Sequence, residues 1–241
     1  MTRIVLDRVT FGYRPAHPVL NGLSLEVAAG QIVGLLGRNG AGKTTTFRIL
    51  TGLLRPDSGS VTLDGISASA DPVSVRRRTA FLPDTPLLYD RLSAEENMNM
   101  FGLLWGVDPA DAATRSECLL REAGLWEVRD EWVRGYSAGM QQRLAICAAL
   151  IHEPTIIVMD EPLTGLDVDG SLWGRQVIRA RSAGGASILF SSHIPELIEN
   201  VADVIAVLDR GVIAGLAPIA DVRRAGGAIE YFNLKAPRLS A

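Results

Sequence analysis

An α/β fold, with a largely parallel sheet interrupted by a block of helices, is predicted for this chain by three observations. Short β-like runs alternate with helical patterns along most of the 241 residues, the order that builds a parallel sheet through crossover helices. The run at 155–159 is apolar at nearly every position, as a central strand covered on both faces must be. Between 93 and 151 the β signals vanish and helical periodicity takes over.

In chain order, strands are predicted over 4–9, 23–27, 31–36, 80–82, 155–160, 187–191 and 204–208. The helical block opens with Ser93 and Glu96 in capping-box spacing. A second helix starts at Asp108, with Pro109 in its first turn, and stops at Gly124. A third runs from Ser137 to Ile151, and Pro154 forbids its continuation. The expected division is therefore an α/β core over 1–84 and 152–241 with a helical insertion over 85–151. The end of the chain, 236–241, reads as a loose tail.

Composition removes several classes of function. Hydrophobic residues make up 47% of the chain, yet its apolar stretches fall well short of the roughly 20 residues a bilayer span needs. Arg3 and Asp7 bracket a very short apolar run, so no secretory signal is expected and a cytoplasmic location follows. A net charge of −3 lacks the basic footprint of a nucleic-acid binder, and no nucleic acid is expected. Cys118 and Cys147 have no CxxC spacing and are expected to be small core residues. Arg76, Arg77 and Arg78 point in different directions on a helix and read as a solvated face.

The segment Gly37-Arg38-Asn39-Gly40-Ala41-Gly42-Lys43-Thr44 matches G-x-x-x-x-G-K-[ST], set between an apolar strand and a helix. Glycines there let backbone amides curl around phosphate oxygens, and the following helix turns its positive end to the same anion. Lys43 adds a point charge at the outer phosphates, and the Thr44 hydroxyl suits Mg²⁺. Gly37, Asn39, Gly40, Ala41, Gly42, Lys43, Thr44 and Thr45 are the expected nucleotide contacts. Kinases, switches, helicases and transporters all use such a cradle, so it does not set the class.

Two further elements narrow it. The strand at 155–160 ends in Asp160-Glu161-Pro162, where ligands sit in open α/β sheets; Asp160 is expected to organise the metal and Glu161 to act as general base. The segment Tyr136-Ser137-Ala138-Gly139-Met140-Gln141-Gln142-Arg143 resembles the ABC signature, LSGGQ followed by QR. With these three elements in order, nearly the whole chain resembles the ABC ATPases. Tyr136, Ala138 and Met140 depart from the common Leu, Gly and Gln, while Ser137 and Gly139, which face phosphate, are kept. The Tyr-Ser-x-Gly-Met form is similar to that of cassettes serving export-type permeases.

That resemblance implies a P-loop NTPase core with an N-terminal antiparallel β subdomain and an inserted helical subdomain. It implies ATP and Mg²⁺, a second ATPase subunit, identical or similar, whose Ser137 and Gly139 complete the site, and a membrane permease that holds the chain at the inner face of the membrane. Asp167 resembles the interfacial acid of the D-loop and His193 the switch histidine that hydrogen-bonds the γ-phosphate, whereas His17 and His152 are read as structural. Tyr13 resembles the ring that stacks on adenine, though Phe11 beside it also fits a core position. Asp84 stands where the family usually has glutamine, and its carboxylate is expected to take over the metal-facing and catalytic-loop role. Leu87, Leu88 and Tyr89 suit either a groove for a permease helix or core packing. A soluble ABC ATPase acting on DNA or ribosomes is the alternative.

Overall fold

The computed structural model describes residues 2–14 and 17–235; the tail predicted at 236–241 lies outside the described residues. Three strands open the chain, β1 (Thr2–Phe11), β2 (Leu20–Ala28) and β3 (Ile32–Leu36), followed by α1 (Lys43–Leu50). Two strands, β4 (Ser58–Leu63) and β5 (Ile66–Ser67), lead through α2 (Pro72–Arg78) to β6 (Thr79–Leu82). Then come three helices, α3 (Ala94–Trp105), α4 (Pro109–Glu122) and α5 (Ala138–Leu150). The α/β pattern resumes with β7 (Ile156–Met159), α6 (Val168–Ala183), β8 (Ser187–Ser192), α7 (Pro195–Glu199) and β9 (Val204–Asp209). The described chain closes with β10 (Val212–Pro218), α8 (Ile219–Arg224) and α9 (Ala228–Lys235).

The strands form two sheets, one antiparallel in the order β2-β1-β4-β5 and one of six strands in the order β10-β9-β3-β8-β7-β6. Within the second, every pairing is parallel except β10 with β9. Both β7 and β8 are buried at every position, β7 as its unbroken apolar run requires and β8 with three buried serines, Ser187, Ser191 and Ser192, beside its apolar centre. One apolar cluster packs the antiparallel sheet and α1 against this sheet, around Phe47, Val33 and Leu35. A second joins the sheet to the helices, around Phe190, Met98 and Leu144.

Local signals explain the helix ends. Ser93 Oγ accepts from the amide of Glu96 while the Glu96 carboxylate accepts from that of Ser93, so the predicted capping box is present. Asp108 caps α4 at the amide of Ala110, with Pro109 in the first turn. Ser137 caps α5 at the amide of Met140. Arg76, Arg77 and Arg78 are all exposed.

Three expectations need correction. Cys118 is exposed, whereas Cys147 is buried. The buried face of α4 is Ala112, Ser116, Leu119 and Leu120, and Cys118 falls outside that stripe at helical spacing. The strands β4, β5 and β10 were not anticipated. Strand β1 also reaches past 4–9 and β2 past 23–27, because their antiparallel register extends from the Thr2–Ala28 pair to Phe11–Leu20.

Candidate active site

The carboxyl ends of β3 and β7 and the start of α1 enclose a cavity of about 360 Å³ lined by Gly40, Gly42, Lys43, Thr44, Asp84, Asp160 and Glu161 among others. The loop that forms it depends on Gly40 and Gly42, at φ +82° and +111°, values a side chain tolerates poorly. Gly42 immediately precedes α1, so the first amides of that helix face the cavity with no acidic residue in the first turn to compete for them. Lys43 Nζ is 7% exposed overall at its residue and donates to the carbonyl of Gly37 at 2.7 Å.

Behind the loop a buried polar network fixes the acids. Thr44 Oγ1 donates to Asp160 Oδ2 at 2.5 Å, and Ser191 Oγ donates to Asp160 Oδ1 at 2.5 Å. Both oxygens of Asp160, which is 2% exposed, are thereby satisfied. Glu161 takes three contacts: Thr164 Oγ1 donates to Oε2 at 3.0 Å, His193 Nδ1 lies 3.0 Å from Oε1, and Lys43 Nζ stands 3.6 Å from the same oxygen. Its amide donates to Ser191 Oγ at 3.0 Å. The backbone of Glu161 has φ +51°, the left-handed region that a non-glycine residue enters at a cost.

Asp84 is exposed and lines the same cavity as these groups. Burial first, then the charges of Asp160 and Glu161, push its carboxyl above the ordinary carboxylate range. Tyr13 stands half in solvent, its hydroxyl 3.5 Å from Thr45 Oγ1, while Phe11 is buried and meets it edge-on at 5.1 Å between ring centres. The two aromatic residues therefore divide, Phe11 to the core and Tyr13 to the surface. Gly37 and Ala41 are buried under the loop.

Tyr13, Gly37, Ala41 and His193 adjoin the lining residues without lining the cavity themselves, and three further predicted residues, Ser137, Gly139 and Asp167, lie apart from it. Ser137 is exposed at the start of α5, Gly139 lies in its first turn, and Asp167 caps α6 at the amide of Gly170. They are neighbours of one another: a Cβ at Gly139 would stand 3.7 Å from the carbonyl of Gly165, and Gln142 Nε2 donates to the carbonyl of Pro162 at 3.0 Å. Tyr136 is buried, with its hydroxyl donating to Val128 O at 2.7 Å and its acidity pushed to about 12 by burial.

Sequence reasoning missed Ser191, Thr164 and Gln142. Ser191 is a small polar residue near the end of an apolar strand, and Thr164 lies three residues past Glu161; each signal was present but pointed to no partner.

Residues 20–164 match the ABC transporter family. The chain is 40% identical over 192 residues to the ABC transporter ATP-binding protein NatA of Bacillus subtilis, covering 79% of this chain and 78% of that protein. It is 37% identical over 224 residues to the daunorubicin resistance ATP-binding protein DrrA3 of Streptomyces coeruleorubidus, covering 92% and 71%. Among solved structures, an ATP-binding subunit of an ABC transporter matches with a TM-score of 0.85 at 31% identity, covering 98% of this chain and 96% of that one.

Proposed function

The chain belongs to the ABC transporter family, as an ATP-binding and ATP-hydrolysing subunit, and on that premise we propose how its residues divide the work. The observation that carries the reading is a split: the carboxylates and phosphate loop line one cavity, while Ser137, exposed, and Gly139, half-buried, lie outside it. A site whose parts point outward in two places is completed by a second copy, or a similar chain, set head to tail.

In this reading the triphosphate lies in the phosphate-loop cavity, held by the amides from Gly40 to Thr45 and by Lys43, with adenine against Tyr13. Glu161, held by Thr164 and His193, takes the proton of the attacking water. His193 and Lys43 then stabilise charge on the transferring phosphoryl group. From the second chain, Ser137 and the free amides at the start of α5 close over the γ-phosphate, Gly139 lets them approach, and Asp167 lies on the shared surface.

Thr44, Asp160 and Asp84 present hydroxyl and carboxylate oxygens to one cavity, a hard donor set that fits Mg²⁺ shared with substrate phosphates. Bound there, the metal would neutralise charge developing on the phosphates. These three residues are the ones that would hold it.

The division into a core over 1–84 and 152–241 and a helical insertion over 85–151 fits that use, since the insertion carries the signature and can move with the second chain. Among the described residues no helix is long and apolar enough to cross a membrane, so translocation is assigned to a separate permease. A cleft between β6 and α3, lined by Phe81, Leu87, Leu88, Phe101 and His152, would receive a helix of that partner at the cytoplasmic face. The Tyr-Ser-x-Gly-Met signature and the resistance role named for the Streptomyces relative favour export. The test is Glu161→Gln: it should bind ATP, accumulate as a dimer, and turn over at least about a hundredfold more slowly. Turnover at the normal rate would remove Glu161 from its role.

A further inference from the structure

We propose that the two chains are also joined by an apolar seat, in which the start of α6 in one copy enters the cavity beneath α9 in the other. The inference rests on the two-chain reading above and names an apolar contact surface beside the nucleotide cavity, with which it shares Arg38 and Asn39. The cavity measures about 470 Å³, larger than the nucleotide cavity, and its apolar walls include Leu208, Ala214, Ala228, Ile229 and Phe232. Its polar end is lined by the exposed residues Arg38, Asn39 and His193. It therefore adjoins the same surface on which the second chain must close.

The walls are fixed rather than soft. Phe232 lies so close over β10 that a Cβ at Gly215 would stand 2.7 Å from its ring, and only glycine leaves room for it. The N-terminus of α9 is tied to α7 by the amide of Ala228, which donates to Glu199 Oε1 at 2.7 Å, and α8 is tied to α7 by Arg223, which donates to the carbonyl of Glu199 at 2.6 Å. Glu199 ends α7, the helix that starts at Pro195, two residues after His193. The cavity wall and the switch histidine thus ride on one connected segment.

The counterpart is the start of α6. Val168 is 82% exposed and Leu172 is 50% exposed, and their spacing of four puts them on one face of the first turns of α6. Asp167, already assigned to the shared surface, caps that helix. Ile229 on the cavity rim is itself 54% exposed. Two branched apolar side chains in water, one turn apart and beside a residue assigned to the shared surface, match an apolar recess that opens beside the phosphate loop. Charge agrees with the match, because Asp169 follows Val168 on α6 and Arg38 stands at the polar end of the cavity.

Filling the recess would hold α9, α7 and the segment bearing His193 in a single arrangement, so pairing of the chains and placement of the histidine become one event. The experiment measures ATP-dependent dimerisation of the Glu161→Gln protein by light scattering. Leu172→Glu and Ile229→Glu should each weaken association at least tenfold while nucleotide binding by the monomer stays unchanged, since neither residue lines the nucleotide cavity. Combining Leu172→Glu with Ile229→Lys should restore most of the association. Normal dimerisation in both single variants overturns the seat, and so does loss in the singles without recovery in the combination. A Glu161→Gln protein that remains monomeric with ATP is a separate failure, which overturns the two-chain reading and the seat with it.

Discussion

The phosphate-loop half of the site and the signature half are built in opposite ways. Lys43, Asp160 and Glu161 are 7%, 2% and 9% exposed, and distant parts of the same chain meet them: Lys43 meets Glu161, Asp160 meets Ser191, and Glu161 meets His193. Ser137 and Ala138, by contrast, are exposed at the start of α5, and the groups beneath them, Tyr136 and Gln142, are the ones tied down. Folding alone finishes the first half, including its desolvated charges. In the second half it fixes only the backbone frame and leaves the binding groups facing water. The difference teaches where pairing acts: it supplies the last side of the cavity, not the chemistry within it.

The largest test of that contrast pairs Lys43→Ala with Ser137→Ala. Lys43→Ala should lower nucleotide affinity of the monomer at least about a hundredfold, because a charge-assisted contact to phosphate is lost and Glu161 loses its buried cation. Ser137→Ala should leave monomer affinity within about twofold, lose about 1 kcal/mol of stability with the helix cap, and slow turnover about tenfold. Equal losses of monomer affinity in the two variants, read by titration calorimetry, would break the comparison.

An acid titration sharpens it at the base of the signature half. His152 follows α5 and stacks on Trp105 of α3 with 4.0 Å between ring centres, and burial, more than nearby Arg115, lowers its pKa from 6.5 to about 4. Between those values the unfolded chain takes up a proton that the folded one refuses, so this contribution is complete above pH 6.5 and is lost as pH falls toward 4. The loss should reach on the order of 3 kcal/mol, and His152→Phe should remove it; urea midpoints at neutral and acid pH measure both. The smallest effect is expected at Asp84, on the rim between the halves. Asp84→Asn and Asp84→Gln should each shift the Mg²⁺ concentration for half-maximal hydrolysis by a few-fold, and unchanged curves in both would take Asp84 out of the metal-facing role.

The phosphate loop, the acidic pair and the capped helices were legible because each couples a fixed spacing to local physics that needs no distant partner. Elements set by non-local contact were not. Strand β4 begins with three exposed residues, Ser58, Gly59 and Ser60, and exists because it pairs with β1 about 55 residues earlier. Strand β10 is an edge with mostly exposed or half-buried positions, so its alternation carries little apolar signal. Ser191 is 31 residues from Asp160 in sequence, and nothing local announces that its hydroxyl donates to that carboxylate. Cys118 shows the converse error: residue type suggested burial, but helical phase decides it.

The left-handed backbone of Glu161 implies a trade of ruggedness for reactivity. A residue without a Cβ would sit in that conformation with less strain, so the chain gives up on the order of 1 kcal/mol there to point a carboxylate where it is useful. Arg8, Asp64, Glu153 and Arg210 share that backbone region, so relief of strain is available at four positions away from the carboxylate, whereas at 161 it would also leave the buried Lys43 without its counter-charge.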